Sequence, residues 1–343
     1  MSGIVEAFFS ARPREIVGVA RMAAVRNFPR VKQSRRVRVI GALLLAAVFP
    51  GCEQPPAATR TTIATVAPAA VDESSGLAAS RRTPDLLWTH NDSDGEPVLY
   101  AIGLDGKLCG SVRIAGITNI DWEDMVSFEL DGRAWLAVGD IGENITRKTG
   151  AAVYVVAEPS AAELSPERET VVPVAWSVPV RYADGRHDCE SLAVDVREQR
   201  IYLLRKREDE KPLYSLPLRP VPAGASTPEA QRLGLVPHIP QPNSEQRAVP
   251  IATGRWRGNP TSMDIAADGL KAVVLTYGDV LLFARKPGET WATALARKPV
   301  ILPPHGLAQA EAVCFSPDGR SIFVTEEKLH TQLLRYDLTQ SSP

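Results

Sequence analysis

Apolar and polar positions in this chain recur as short runs rather than as long amphipathic stretches. Five segments open on a small or acidic residue and then turn apolar: SGLAAS from Ser75, EDMVSF from Glu123, ESLAVD from Glu190, TSMDIA from Thr261 and EAVCFS from Glu311. A second apolar run follows each, as LLWTHND, AWLAVGD, IYLLRKR, AVVLTYGD and SIFVTEE. Asp131-Gly132, Asp268-Gly269 and Asp318-Gly319 sit between first and second runs at matching offsets and predict hairpins. Third runs are PVLYAIG, AAVYVVA, KPLYSLP, DVLLFAR and QLLRYDL, and fourth runs are GSVRIAG, TVVPVAWSV, RAVPIAT and KPVILPP. Runs this short, bounded by turn residues, predict strands rather than helices.

Four such runs repeated five times predict an all-β fold, a five-bladed β-propeller of four-stranded antiparallel blades around a central channel. The fifth repeat has no fourth run after QLLRYDL, and TTIATVA at 61–67 is expected to supply it, so that the N-terminal strand closes the ring. Two polar, Pro-rich stretches, AEPSAAELSPERE and PVPAGASTPEAQRLGLVPHIPQPNSEQ, read as loops between outer strands. The second has room for a short helix, and a six-bladed ring is the alternative if it conceals further strands. The 28 Pro and 24 Gly favour such a turn-rich β protein over a helical bundle, and the 44% hydrophobic content supports a large core. Lys plus Arg is 39 against 40 Asp plus Glu, a net charge of −1, so nothing points to nucleic acid.

The first 52 residues read as an N-terminal extension and signal peptide, 53–60 as a tether, and 61–343 as the propeller. Arg26, Arg30, Lys32, Arg35, Arg36 and Arg38 precede an unbroken apolar run, Val39–Phe49, with no acid among them. That run is too short for a bilayer, which takes about 20 residues, and fits a signal-peptide core behind a positive region. Glu6 and Glu15 are out of place in such a region, so Met22 is the expected start. SRRVRV at 34–39 resembles a twin-arginine signal, but Arg38 stands where a large apolar residue is expected, which favours the general secretory route. FPGC at 49–52 resembles a bacterial lipobox, making Cys52 the expected lipidation site; Phe49 and Pro50 depart from its usual residues. The chain is therefore expected in the bacterial cell envelope, touching membrane only through a lipid anchor. Cys109, Cys189 and Cys314 remain, allowing at most one disulfide.

In a propeller the starts of first strands and the ends of second strands share one face. First-strand starts here carry Asp121, Glu123, Asp124, His187, Asp188, Glu190 and Glu311. Second-strand ends carry His90, Asn91, Asp92, Asp140, Glu143, Asn144, Lys206, Tyr277, Glu326 and Glu327. These residues are expected to converge on a polar funnel. Carboxylates that close repel one another unless water, a cation or a basic partner offsets the charge. Asp92, Asp140 and Glu123 are the expected metal ligands, if a metal binds, and Ca²⁺ is the cation that suits them. Trp122 reads as a packing residue between blades. No GxSxG or phosphate-binding glycine loop is present.

SGLAAS (75–80), HNDSD (90–94), DWEDM (121–125), GDIGEN (139–144) and HDCE (187–190) resemble motifs of a family of bacterial secreted and lipoprotein-type propellers. Family members carry HNDSG, DWEDI, GDIGDN and HDAE, so Asp94, Glu143 and Cys189 depart from the pattern. The resemblance spans about residues 72–330 and implies fold and export, since the family is largely without an assigned reaction. More distantly the chain is similar to phytase-like, esterase-like and NHL-type propellers, whose ligands bind at the same funnel. Three readings follow. One is a hydrolase, calcium-assisted or not, of a small polar ester, phosphate ester or glycoside. Another is a non-catalytic module that binds a small polar ligand or a protein. In the third, the carboxylates only cap strand-start amides and pair with Lys206, Arg205 and Arg207. A monomer is expected.

Overall fold

The computed structural model describes residues 57–339, apart from 94, 143–149, 186, 208–209, 223 and 225. The expected signal peptide, Met22, Cys52, Glu143 and Asn144 lie outside the described residues. Among the described residues no helix is long and apolar enough to cross a membrane.

The first strand, β1 (Ala58–Thr65), is followed by five successive sets of four or three. The first set is β2 (Ser74–Ala79), β3 (Leu86–Asn91), β4 (Val98–Gly103) and β5 (Leu108–Ala115). The second is β6 (Trp122–Leu130), β7 (Arg133–Asp140), β8 (Ala151–Ala157) and β9 (Thr170–Val180). The third is β10 (Cys189–Asp195), β11 (Arg200–Arg205), β12 (Pro212–Pro217) and β13 (Gln231–Leu235). The fourth is β14 (Pro260–Ile265), β15 (Lys271–Thr276), β16 (Val280–Ala284) and β17 (Val300–Ile301). The last is β18 (Ala310–Phe315), β19 (Ser321–Glu326) and β20 (Gln332–Leu338). Within each set every strand pairs antiparallel with the next. β1 completes the last sheet on the outer side of β20, from Ala58 opposite Leu338 to Thr65 opposite Gln332. Residues 58–60, expected in the tether, are thus strand, because the free edge of β20 gives their backbone a partner. β5 and β9 lie in parallel, Val112 to Ala115 against Thr170 to Pro173, and join the first two sets into one eight-stranded sheet.

The innermost strands β2, β6, β10, β14 and β18 each pack between two of the others and close a ring. The architecture is all-β and propeller-like. An apolar core fills each gap between neighbouring sheets. Trp88, Leu99, Met125 and Leu136 pack between the first and second sets, and Val126, Val155, Leu192 and Leu203 between the second and third. Tyr202, Met263 and Val274 follow, then Leu275, Val313 and Val324, then Leu77, Leu87, Cys314 and Phe323 back at the first set. Burying one such side chain contributes roughly 1.5–3 kcal/mol, and each gap needs both walls, so no single sheet is stable alone. The inner strands are buried along their length, which is why they read as continuous apolar runs rather than as alternation.

Two local expectations are corrected. RAVPIAT (247–253) is not a strand. The outer strand of the third sheet is β13, and 244–247 form one short helical turn capped by Asn243, whose side-chain Oδ1 accepts from Gln246 N at 2.9 Å. Pro250 has no N–H to donate, and Val249 and Ile251 are exposed rather than packed. The hairpin signals also differ among themselves. Asp131 and Gly132 both have positive φ and directly link the paired Leu130 and Arg133, whereas at 268–269 and 318–319 only the glycine does. The first is the tight two-residue turn that needs two left-handed residues; the others are longer turns closed by one glycine.

Candidate functional site

Every inner strand carries a bulge at its second position. The register against the neighbouring strand slips between Ser74 and Gly76, Trp122 and Asp124, Cys189 and Ser191, Pro260 and Ser262, and Ala310 and Ala312. The residues left over are Ser75, Glu123, Glu190, Thr261 and Glu311. These are the polar openers of the five repeated segments. A bulge re-aims the side chain of the extra residue. Ser75 and Thr261 are short and turn to the next inner strand, donating to Glu123 O at 3.1 Å and Ala310 O at 2.8 Å. The three glutamates are longer, and together with strand-end residues they form the funnel.

Three overlapping sets of carboxylates each bring one oxygen per residue within 4.8 Å of the others: Asp92, Asp121 and Glu123; Glu123, Asp188 and Glu190; and Asp92, Glu311 and Glu327. Glu123 and Asp92 are shared, so seven carboxylates form one continuous group. Lys206 pairs with Glu190 and stands 5.3 Å from the Tyr277 ring, and Arg207 pairs with Asp188 from a largely exposed position. Tyr277 donates its hydroxyl to Glu311 at 2.6 Å, and Gln309 bridges Glu311 and Glu327. Asn119, between β5 and β6, donates to Asp92 O at 2.6 Å and accepts from Trp122 N at 3.1 Å, tying the end of β3 to the start of β6.

The electrostatics follow from burial and crowding. Burial, then Glu311, pushes Asp92 up to about 7. Burial pushes Glu190 up to about 8, with Lys206 pulling it back and Glu311 and Asp188 adding to the rise. Burial, then Glu311, pushes Glu327 up to about 9. Glu123 is raised well above the usual carboxylate range by burial, Glu190 and Asp92. Burial pulls the Lys206 ammonium down, but Glu190, Glu311, Tyr277 and Glu123 outweigh it and leave its pKa above the ordinary value. The group therefore holds protons near neutrality or gives them up to a cation. All donors are oxygens, and Ca²⁺ takes 6–8 oxygens at about 2.3–2.6 Å, so oxygens sharing one ion lie within ~5 Å of each other. The donor set fits such an ion.

Several expected funnel residues face elsewhere. Asp124, next to Glu123, points into the channel. Its Oδ1 accepts from Met125 N and Ser262 Oγ, both at 2.9 Å, and its Oδ2 from Leu192 N at 2.8 Å and Met263 N at 3.0 Å. It ties β6 to β10 and β14. Asn91 turns outward and holds the loop before β2, donating to Ala70 O at 2.8 Å and Asp72 Oδ1 at 2.9 Å. Asp140 accepts from Asp121 N at 3.1 Å; of the three expected metal ligands, Asp92 and Glu123 share a carboxylate set, whose third member is Asp121. His90 is fully buried edge-on against Trp122, with Nδ1 2.9 Å from Asn91 O, and burial lowers it to about 4. His187 stacks on Tyr214 and bonds Asp184 at 2.7 Å, and it belongs to none of the three carboxylate sets. Glu326 accepts from Ala308 N at 2.9 Å as a loop cap.

Sequence reasoning passed over Gln309, Asn119 and Gly142. Gly142 was legible as the second glycine of GDIGEN. A Cβ there would overlap Glu123 Oε1 and the Asp121 carboxyl, so any larger residue would push these two carboxylates out of place. Gly76 in SGLAAS is alike: a Cβ there would overlap His90 Nε2.

No family model matches the chain, and no curated protein matches it. Among solved structures it is similar to a putative 6-phosphogluconolactonase from Bacteroides uniformis, at 13% identity over 78% of this chain and 68% of that one, with a TM-score of 0.35. It is also similar to a luciferin-regenerating enzyme, at 10% identity over 82% of this chain and 96% of that one, with a TM-score of 0.42.

Proposed function

We propose that the funnel binds a divalent cation of the calcium class together with a small polar ligand, and that it is the hydrolytic centre of an exported enzyme acting on an ester, phosphate ester or glycoside. The observation that carries this reading is the group of seven carboxylates, three of them aimed by strand bulges, with Lys206 paired to Glu190 and the exposed Arg207 to Asp188. A bound cation supplies Lewis-acid polarisation of a carbonyl or phosphoryl oxygen. Asp92, raised to about 7, suits proton transfer at neutral pH. Lys206 and Tyr277 orient polar ligand atoms. The test is a thermal melt with calcium and with chelator, followed by a panel of p-nitrophenyl esters, phosphates and glycosides. Calcium should raise the melting temperature, one substrate class should turn over, and Asp92→Asn should slow it about 100-fold or more. Neither a calcium response nor any turnover would remove the reading. The Lys206–Glu190 and Arg207–Asp188 pairs favour a second reading, binding without chemistry, which predicts ligand-dependent stabilisation and no turnover.

We further infer that the ring counts five blades, supported by five mutually flanking inner strands and five intervening cores. The shared motifs support membership of the bacterial secreted and lipoprotein-type propellers. The apolar run and Gly51-Cys52 support lipid attachment at Cys52. A fatty-acid analogue should label the wild type and spare Cys52→Ala; equal labelling of both would exclude the anchor.

A further inference from the structure

We propose that a cleft beside the funnel is a second subsite, which holds the carboxylate or phosphate end of a ligand with an apolar or aromatic body. The inference rests on the funnel being the binding or reaction centre. The segment between β13 and β14 encloses a cleft of roughly 780 Å³ on the funnel side of the third and fourth sheets. Lys206, Tyr277 and Gln309 line it, and the same side chains contact Glu190, Glu311 and Glu327. Cleft and funnel are therefore continuous.

Away from the funnel the wall changes sign. Arg247 and Arg255 line the cleft, and among the described residues neither forms an ion pair with a carboxylate; the Arg255 Nε donates to Arg247 O at 3.0 Å. Its guanidinium stands 6.0 Å from the ring of Trp256, which is 42% exposed, and Ile251 beside it is 53% exposed. Guanidinium groups present paired N–H donors that match a carboxylate or a phosphate, and the exposed indole and isoleucine offer a surface for an apolar body. The opposite charges give the ligand one orientation. Its anionic end is drawn to the arginines, which leaves the oxygen-rich end that reacts or binds in the funnel.

The test is calorimetric titration of the full chain with phenyl phosphate and with 3-phenylpropionate, against benzyl alcohol as the neutral control. At least one anion should bind saturably and more tightly than the alcohol. Arg247→Met combined with Arg255→Met should weaken it about tenfold or more, while the double lysine variant should retain part of the affinity. Both arginines are exposed, so the melting temperature of the double variant should match the wild type, and its calcium response should persist. Arg320→Met, which removes an exposed arginine outside both cleft and funnel, should leave anion affinity within about twofold. Absence of saturable binding by either anion, equal affinity in the double methionine variant, or equal binding of benzyl alcohol would overturn the proposal. So would co-sedimentation with phosphatidylglycerol vesicles in place of soluble-anion binding, since the basic and apolar face would then be a membrane contact. Loss of the calcium response in the wild type, with anion binding intact, would count against the cation reading of the funnel and not against the cleft.

Discussion

Lys206 sits among more negative charge than it can neutralise. Its side chain is 13% exposed and that of its partner Glu190 is 6% exposed. Lys206→Met should therefore destabilise the protein by roughly 3–5 kcal/mol in urea unfolding, the cost of leaving a buried charge unpaired, and calcium should restore part of the loss. The carboxyls give a pH signature. Asp92, Glu190 and Glu327 titrate near 7, 8 and 9 in the folded protein, above their unfolded values. The folded chain then binds more protons across this range, so their contribution is present at low pH and is lost as pH rises through 7 to 9. His90, lowered to about 4, acts in the opposite sense and costs stability as pH falls below its unfolded value of 6.5. Without calcium the melting temperature should fall between pH 6.5 and 9, and calcium should flatten that slope; a flat slope without calcium would contradict the carboxylate assignment. The sequence disclosed the residue types at this site but not which neighbour faces it. Glu123 and Asp124, or Asn91 and Asp92, are equally polar on paper. Adjacent strand residues point to opposite sides, and although each bulge falls on a polar opener, that recurrence alone does not say that the register slips there.

At the level of the strand, Asp124 and β1 carry the clearest expectations. Asp124 accepts four hydrogen bonds from three inner strands. In Asp124→Asn one oxygen becomes an NH₂ that faces donors, so two buried donors lose their acceptor. At about 1–3 kcal/mol for each, the urea midpoint should drop clearly while the far-ultraviolet spectrum stays β-like. A chain lacking 57–66 loses β1 and leaves β20 as an open edge. It should melt well below the intact chain or self-associate on size exclusion; identical melting would contradict the seam. Strand existence was legible because turn residues bound every short apolar run. Placement failed at 247–253, where RAVPIAT has the composition of a strand but no neighbouring edge to pair with. QRLGL at 231–235, with little apolar signal, takes the edge beside β12 instead. Outer strands depend on the edge they meet more than on their own pattern.

For the molecule as a whole, the repeat unit predicted the ring because every opener recurs with a strand behind it, and the five cores repeat the same contact between neighbouring sheets. The parallel seam between β5 and β9 was not legible, since neither run carries a pattern that names an edge strand of the neighbouring repeat as its partner. The pairing of β1 with β20 also sets a timetable. Ala58 finds its partner only when Leu338 exists, so a chain leaving the ribosome amino end first cannot close this seam until β20 has been made. Contacts across such a separation form late and slowly. Until β20 emerges the ring stays open at this seam, and the stretch from β2 to β19 must hold its place without the latch.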